Sequence, residues 1–209
     1  MKDISTCLVA VFAVVIAIRY AYLIKARKIE LTVSTWIIFL VGTLLSATTY
    51  TIAEKHDFKS GILNVVDVGE IVVVLVSLCL WGKHGIRLKR FEKWYLAGAA
   101  IIVGYGFVSG DAWSSNILTQ ILITIGYVPT VHKLCAQKVN SESWFGWGGS
   151  FASSAVAIYP AVVDGNALAV IYAARAAVLT VMILSIMGYY EFIFRRNKED
   201  DRAVACAND

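Results

Sequence analysis

Long apolar runs separated by short charged stretches dominate the chain. Each run approaches the roughly 20 residues that a helix needs to cross about 30 Å of hydrocarbon. The runs are continuous, whereas the strands of a membrane barrel alternate apolar and polar positions over about ten residues. They cover residues 4–24, 32–53, 62–81, 94–108, 115–134, 144–163 and 167–189. The pattern predicts an all-α integral membrane protein with seven transmembrane helices.

The composition excludes an ordinary soluble domain. Apolar residues make up 58% of the 209 residues, above the roughly 45–50% of soluble domains. The first run is not typical of a cleaved leader, because Asp3 offsets Lys2 and the basic cluster at Lys25, Arg27 and Lys28 follows the run. We therefore expect this run to stay as a membrane anchor.

Lysine and arginine predict the orientation, since loops rich in them stay cytoplasmic. Fourteen of the 19 lie in the alternate segments after runs one, three, five and seven, and only Lys2, Lys55 and Lys59 lie in the others. This bias places the N-terminus outside and the C-terminus in the cytoplasm, and we expect a plasma membrane of the bacterial type. The basic residues are then topology signals, which disfavours nucleic acid as a partner.

The two halves of the chain resemble each other at an offset of 108 residues. Lys25 falls on Lys133 and Trp36 on Trp144, without gaps. Two apolar helices joined by a basic loop also resemble each other by chance, although the absence of gaps argues against that alternative. A repeat of runs one to three as runs five to seven, with run four restoring the orientation, predicts a 3+1+3 pair of parallel triple-helix bundles.

This arrangement divides the chain into four parts. Residues 1–84 form the first bundle, 85–112 the linker helix, and 113–195 the second bundle. Residues 196–209 are charged and have no apolar face, so we expect a disordered cytoplasmic tail.

The segment GYVPTVHKLCAQKVNSESWFGW, residues 126–147, resembles the PQ-loop signature, and the 3+1+3 plan resembles the SWEET transporters. The second half is also similar to nicotinamide riboside transporters, through residues 138–144 and the Gly188-Tyr189 pair. The resemblance implies a solute pathway between two bundles, a central polar site and a proline hinge. The chain departs from the signature, with Pro129-Thr130 in place of Pro-Gln and Ala21-Tyr22 at the matching place in the first half.

Ionisable residues inside spans are the strongest candidates for function, since each costs roughly 2.5–3.5 kcal/mol at a helix centre. Asn64, Asp67 and Glu70 recur every three residues and form a stripe that should face the interior. Arg175 is at the position equivalent to Asp67. We expect an ion pair between the two, either as part of a substrate site or as a structural lock between the bundles. Arg19 lies near the cytoplasmic end of the first run, so its long side chain can extend to the membrane surface there.

Aromatic residues and proline complete the candidate site. Tyr159 and Tyr172 lie deep in their runs, where they are placed to stack against a ring-bearing ligand. Pro129 is predicted to kink the fifth run and act as a hinge. Tryptophans at the ends of runs are expected at the membrane interface, namely Trp36, Trp81, Trp94 and Trp144.

The function predicted from these features is a facilitator or proton-coupled carrier of a small polar solute, such as a sugar, amino acid, nucleoside or vitamin. A seven-helix receptor or sorting protein that binds without transport is the alternative. An enzyme is not expected, because no nucleophile, base or metal cluster is apparent, and the last run has no lysine to hold retinal. No cofactor or metal is expected. The expected partners are membrane lipid and the solute, and a homo-oligomer stays open.

Overall fold

In the computed structural model the chain is described over residues 1–29, 31, 33–53, 59–82, 90–138, 140 and 142–207, with side chains described up to Ile193 except those of 34, 35, 92 and 107. All regular secondary structure in these ranges is α-helical, which confirms the predicted class. The helices are α1 (Lys2–Lys25), α2 (Val33–Ala53), α3 (Ile62–Trp81), α4 (Arg90–Ser109), α5 (Ala112–Gly126), α6 (Val128–Gln137), α7 (Trp144–Val163) and α8 (Ala167–Ala207).

Five segments are long and apolar enough to cross a membrane. They are Lys2–Lys25, Trp36–Ala53, Ile62–Trp81, Ala112–Gln137 and Ala167–Ile193. Their outward surfaces are apolar as well as their buried ones; Val14, Val76 and Val178, for example, are exposed. Apolar residues on all sides of a helix are typical of a membrane protein. By length and composition, these five segments are candidate membrane spans, as expected of an integral membrane protein.

The helix ends follow local chemistry. The Asp111 side chain accepts hydrogen bonds from the backbone N–H groups of Trp113 and Ser114 at the start of α5, and Ser143 accepts one from Gly146 at the start of α7. Such caps satisfy donors that the first turn leaves unpaired. Gly110 and Gly165, both with φ of +64°, make the turns before α5 and α8, a conformation that glycine adopts without strain.

The helices of the first and second halves of the chain pack against one another extensively. Helix α3 contacts both α1 and α2, and α8 contacts α7 as well as α5 and α6. Helix α1 also lies against α7, and α2 lies against α5. Helix α4 packs on α2 and α5, beside this second contact. Helix α3 in addition touches α7 and α8.

Part of the segment predicted as a disordered tail, residues 196–209, is helical. Helix α8 continues to Ala207, and residues 208 and 209 lie outside the described part of the chain. The segment is rich in Arg, Lys, Glu, Asp and Ala and contains neither glycine nor proline, so nothing in it stops a helix. The lack of an apolar face predicts that the segment does not pack against the bundle, but it does not prevent helix formation.

Candidate functional site

A cavity of about 80 Å³ lies at the centre of the molecule, where α1, α2, α3, α5, α7 and α8 meet. Its charged lining residues are Asp67 and Glu70 of α3 and Arg175 of α8. Asp67 and Glu70 are three residues apart on α3, so both carboxylates lie on one side of that helix. Two members of the predicted stripe, Asp67 and Glu70, therefore line this cavity together with Arg175, and their part in a binding site stays a prediction.

Tyr172 joins the acidic and basic sides of the cavity. Its hydroxyl donates a hydrogen bond of 2.7 Å to Asp67 Oδ2, and its ring centroid lies 4.8 Å from Cζ of Arg175. The direct ion pair expected between Asp67 and Arg175 is wrong, because no ion pair connects these two residues in the described part of the chain. Tyr172, which is only 2% exposed, contacts both and takes the place of that pair.

Arg175 is held by a buried polar network between α2 and α5. Its Nε donates to Gln120 Oε1 at 3.0 Å, and Gln120 Nε2 donates to Ser46 Oγ at 2.9 Å. Asn116 Nδ2 donates to the Ser46 carbonyl and to Thr49 Oγ1. The side-chain amides of Asn116 and Gln120 thus find their hydrogen-bond partners inside the protein, which the interior of a membrane protein requires of buried polar groups. The network therefore fixes the guanidinium relative to the α2–α5 contact.

An aromatic cluster borders the cavity on one side. It consists of Tyr20, Trp36, Phe39, Tyr127 and Trp147, whose neighbouring ring centroids lie 5.1–6.1 Å apart. These distances and the mostly edge-on angles suit aromatic pairs. Trp36 was expected at the membrane interface, but it is only 9% exposed and its ring packs against those of Tyr20 and Phe39.

A larger vestibule of about 490 Å³ lies beyond the aromatic cluster, and it shares Trp36, Phe39 and Trp147 with the central cavity. It is at the end of the molecule formed by α6 and the start of α7. Lys133 Nζ lies 3.2 Å from Glu142 Oε1 in its wall, and Trp147 Nε1 donates to the same carboxylate. The aromatic residues are therefore the boundary between cavity and vestibule.

Polar contacts join the helices at the opposite end. Asp164, in the turn before α8, pairs with Lys2 and accepts a hydrogen bond from Ser60, and Lys59 pairs with Asp3 at 3.0 Å. The hydrogen bonds from Lys2 and then Ser60 hold the pKa of the Asp164 carboxyl below its usual value of 3.8. Since Lys2 belongs to α1 and Ser60 precedes α3, this outer polar cluster ties three segments together.

Other residues predicted for the site lie elsewhere. Asn64 is 2% exposed but lines a separate crevice beside Tyr172. Tyr159 is 41% exposed, so placing it in the site was wrong; the buried side of α7 carries Ser153, Ala157 and Pro160 instead. Pro129 lines the vestibule in the first turn of α6. A proline fits that position because its missing N–H would be unpaired there anyway, and its role as a hinge stays a prediction.

Comparisons with protein-family models, curated proteins and solved structures found no match to this chain.

The sequence contained signals for residues that the predictions missed. Asn116 and Gln120 are four residues apart within an apolar run, which places two amides on one helix face. Phe39 and Trp147 are 108 residues apart, so the repeat itself pairs two members of the aromatic cluster. The repeat therefore contains a signal for these two aromatic residues as well as for the charged ones.

Proposed function

We propose that this chain is a membrane transporter of a small polar solute, with the central cavity as its binding site. The observation that carries the proposal is the placement of two carboxylates and a guanidinium around one cavity inside an apolar helix bundle. Charged residues at such depth are costly and usually mark a solute or ion pathway. A purely structural role would be expected to pair Asp67 directly with Arg175, and the two are not paired.

The helix packing supports a 3+1+3 arrangement for this transporter. At the offset of 108 residues, the α1–α7 contact is equivalent to the α2–α5 contact, and α3 is equivalent to α8. In this proposal α4 and α7 also cross the membrane, which gives seven spans, and residues 1–84 and 113–195 form the two bundles. The basic loops support an orientation with the N-terminus outside and the vestibule on the cytoplasmic side.

The two ends of the molecule support an inward-oriented state. The outer polar cluster holds α1, α3 and the turn before α8 together, whereas the other end carries the vestibule of about 490 Å³. Transport would require the outer contacts to break and the aromatic residues to rearrange. Both sets of contacts join the two proposed bundles, so a relative movement of the bundles would change them together.

Flux measurements test the proposal. Purified protein in proteoliposomes would be assayed for counterflow of labelled glucose, alanine and uridine, and we expect one of them to exchange. Asp67→Asn and Arg175→Ala should insert and lose that flux. Arg19→Ala is the matched control, since Arg19 likewise lies within a candidate span, α1, but is exposed and stacks on Tyr22 and Phe145.

Two results would contradict the proposal. Normal flux in both cavity variants would remove the site assignment. Saturable binding without counterflow for any of the three solutes would favour the alternative of a receptor or sorting protein.

A further inference from the structure

The charged groups of the central cavity are divided between two helices. Asp67 and Glu70 belong to α3, and Arg175 belongs to α8. The cavity therefore has an acidic wall and a basic wall, with Tyr172 between Asp67 and Arg175. A ligand inside it would meet opposite charges at its two ends.

Several polar groups around the cavity have unused hydrogen-bonding capacity. Within the described ranges, the half-buried side chain of Glu70 makes no hydrogen bond or ion pair, and the buried Nη1 of Arg175 has no acceptor. The hydroxyl of Ser153, a residue only 3% exposed that also lines the cavity, is unpartnered as well. Buried polar groups are normally paired, so this set calls for a ligand that donates to Glu70 and accepts from Arg175.

Charge narrows the class of ligand further. An anionic solute would satisfy Arg175 but would face both carboxylates. A cationic solute would satisfy the carboxylates but would leave the Arg175 donor without an acceptor, and an uncharged solute would neutralise neither wall. Only a solute with a cationic donor at one end and an anionic acceptor at the other complements both walls.

We infer that the cavity binds a small zwitterion, with its ammonium group at Asp67 and Glu70 and its carboxylate at Arg175. This inference rests on the proposed function and names its substrate class. The cavity of about 80 Å³ has room for only a few water-sized groups, which favours a compact amino acid such as alanine over a disaccharide or a nucleoside. The neighbouring rings of Tyr20 and Trp147 suit an ammonium group or a short apolar side chain.

Competition with matched analogues tests the inference on the unmodified protein. Counterflow of labelled L-alanine in proteoliposomes would be measured against unlabelled alanine, ethylamine, propionate and glucose, each at the same concentration. Ethylamine keeps only the positive group and propionate only the negative one. We expect alanine to compete at least tenfold more strongly than either, and glucose not to compete.

The outcomes separate this inference from the proposed function. Exchange of glucose or uridine without exchange of alanine would overturn the zwitterion and leave the transporter intact. Equal competition by ethylamine and alanine, or by propionate and alanine, would overturn it as well. No exchange of any solute would refute the transporter itself.

Two variants test the assignment of each charge to its wall. Glu70→Gln should raise the half-saturating alanine concentration tenfold or more, because the ammonium loses one of its two carboxylates, and Arg175→Gln should do the same through the carboxylate. Arg19→Gln should leave the concentration unchanged. Unchanged affinity in Glu70→Gln or in Arg175→Gln would overturn the role given to that residue. If a variant fails to insert, the competition series on the unmodified protein still tests the ligand class.

Discussion

Replacing Tyr172 with phenylalanine isolates the hydrogen bond to Asp67. The change removes only the hydroxyl that donates to Asp67 Oδ2 at 2.7 Å. The ring that lies 4.8 Å from Cζ of Arg175 stays in place, so the cation–π contact is kept. The perturbation therefore acts on the acidic wall of the cavity and spares the basic one.

The expected cost follows from the charge and the location of the acceptor. Hydrogen bonds between side chains in membrane helices average about 0.6 kcal/mol, with a maximum near 1.7, whereas bonds to charged groups contribute about 1.5–3 kcal/mol. Because the acceptor is a carboxylate in a buried site, we expect about 1.5 kcal/mol, at the overlap of the two ranges. For a chain of this length, that corresponds to a decrease in Tm of roughly 3–6 °C.

The assay is thermal unfolding of the purified protein in detergent, arranged as a double-mutant cycle with Asp67→Ala. In the Asp67→Ala background, Tyr172→Phe should cost almost nothing, since the hydroxyl has already lost its acceptor. Tyr159→Phe is the matched control, because Tyr159 is 41% exposed on α7. Equal costs of Tyr172→Phe in the two backgrounds would refute the reasoning.

Three further predictions concern packing, pH and the polar network. Gly146→Ala should lower the stability by about 1–3 kcal/mol, since the added Cβ would overlap the buried Tyr20 ring. Gly148→Ala should leave the stability unchanged, because nothing lies within 4 Å of its added Cβ. Equal Tm values for the two variants would contradict this prediction. Because the pKa of Asp164 is held below 3.8 in the folded state, its stabilising contribution is present above about pH 4 and is lost as the pH falls through that lower value. Unfolding measured from pH 7 to pH 2.5 should thus show a greater loss in the unmodified protein than in Asp164→Asn, and parallel curves would argue against the outer ion pair. Gln120→Met should cost about 1–3 kcal/mol by leaving the Arg175 Nε donor unpaired, more than Thr119→Val, whose hydroxyl bonds only within its own helix; a reversed order in Tm would exclude the network as the support of Arg175.

Local chemistry made some features predictable from the sequence. Residues 62–81 and 144–163 were predicted as helices with the bounds that α3 and α7 have, because charged or glycine-containing stretches end the apolar runs there. The inward position of Asp67 and Glu70 also followed from their spacing, since a charge in an apolar run has no favourable place on the lipid side. Tyr159 was chosen for its depth in the apolar run alone, and depth does not say which side of a helix a residue faces.

The sequence by itself determined that the chain forms apolar helices for a membrane, and which charges are buried among them. Hydropathy and charge act residue by residue, so they can be evaluated without knowing any neighbour. The tertiary structure alone decided how those charges are connected. Whether Asp67 meets Arg175 directly or through Tyr172 depends on how α3 and α8 are rotated and shifted along their axes, and that is set by the packing of residues from six helices around one cavity.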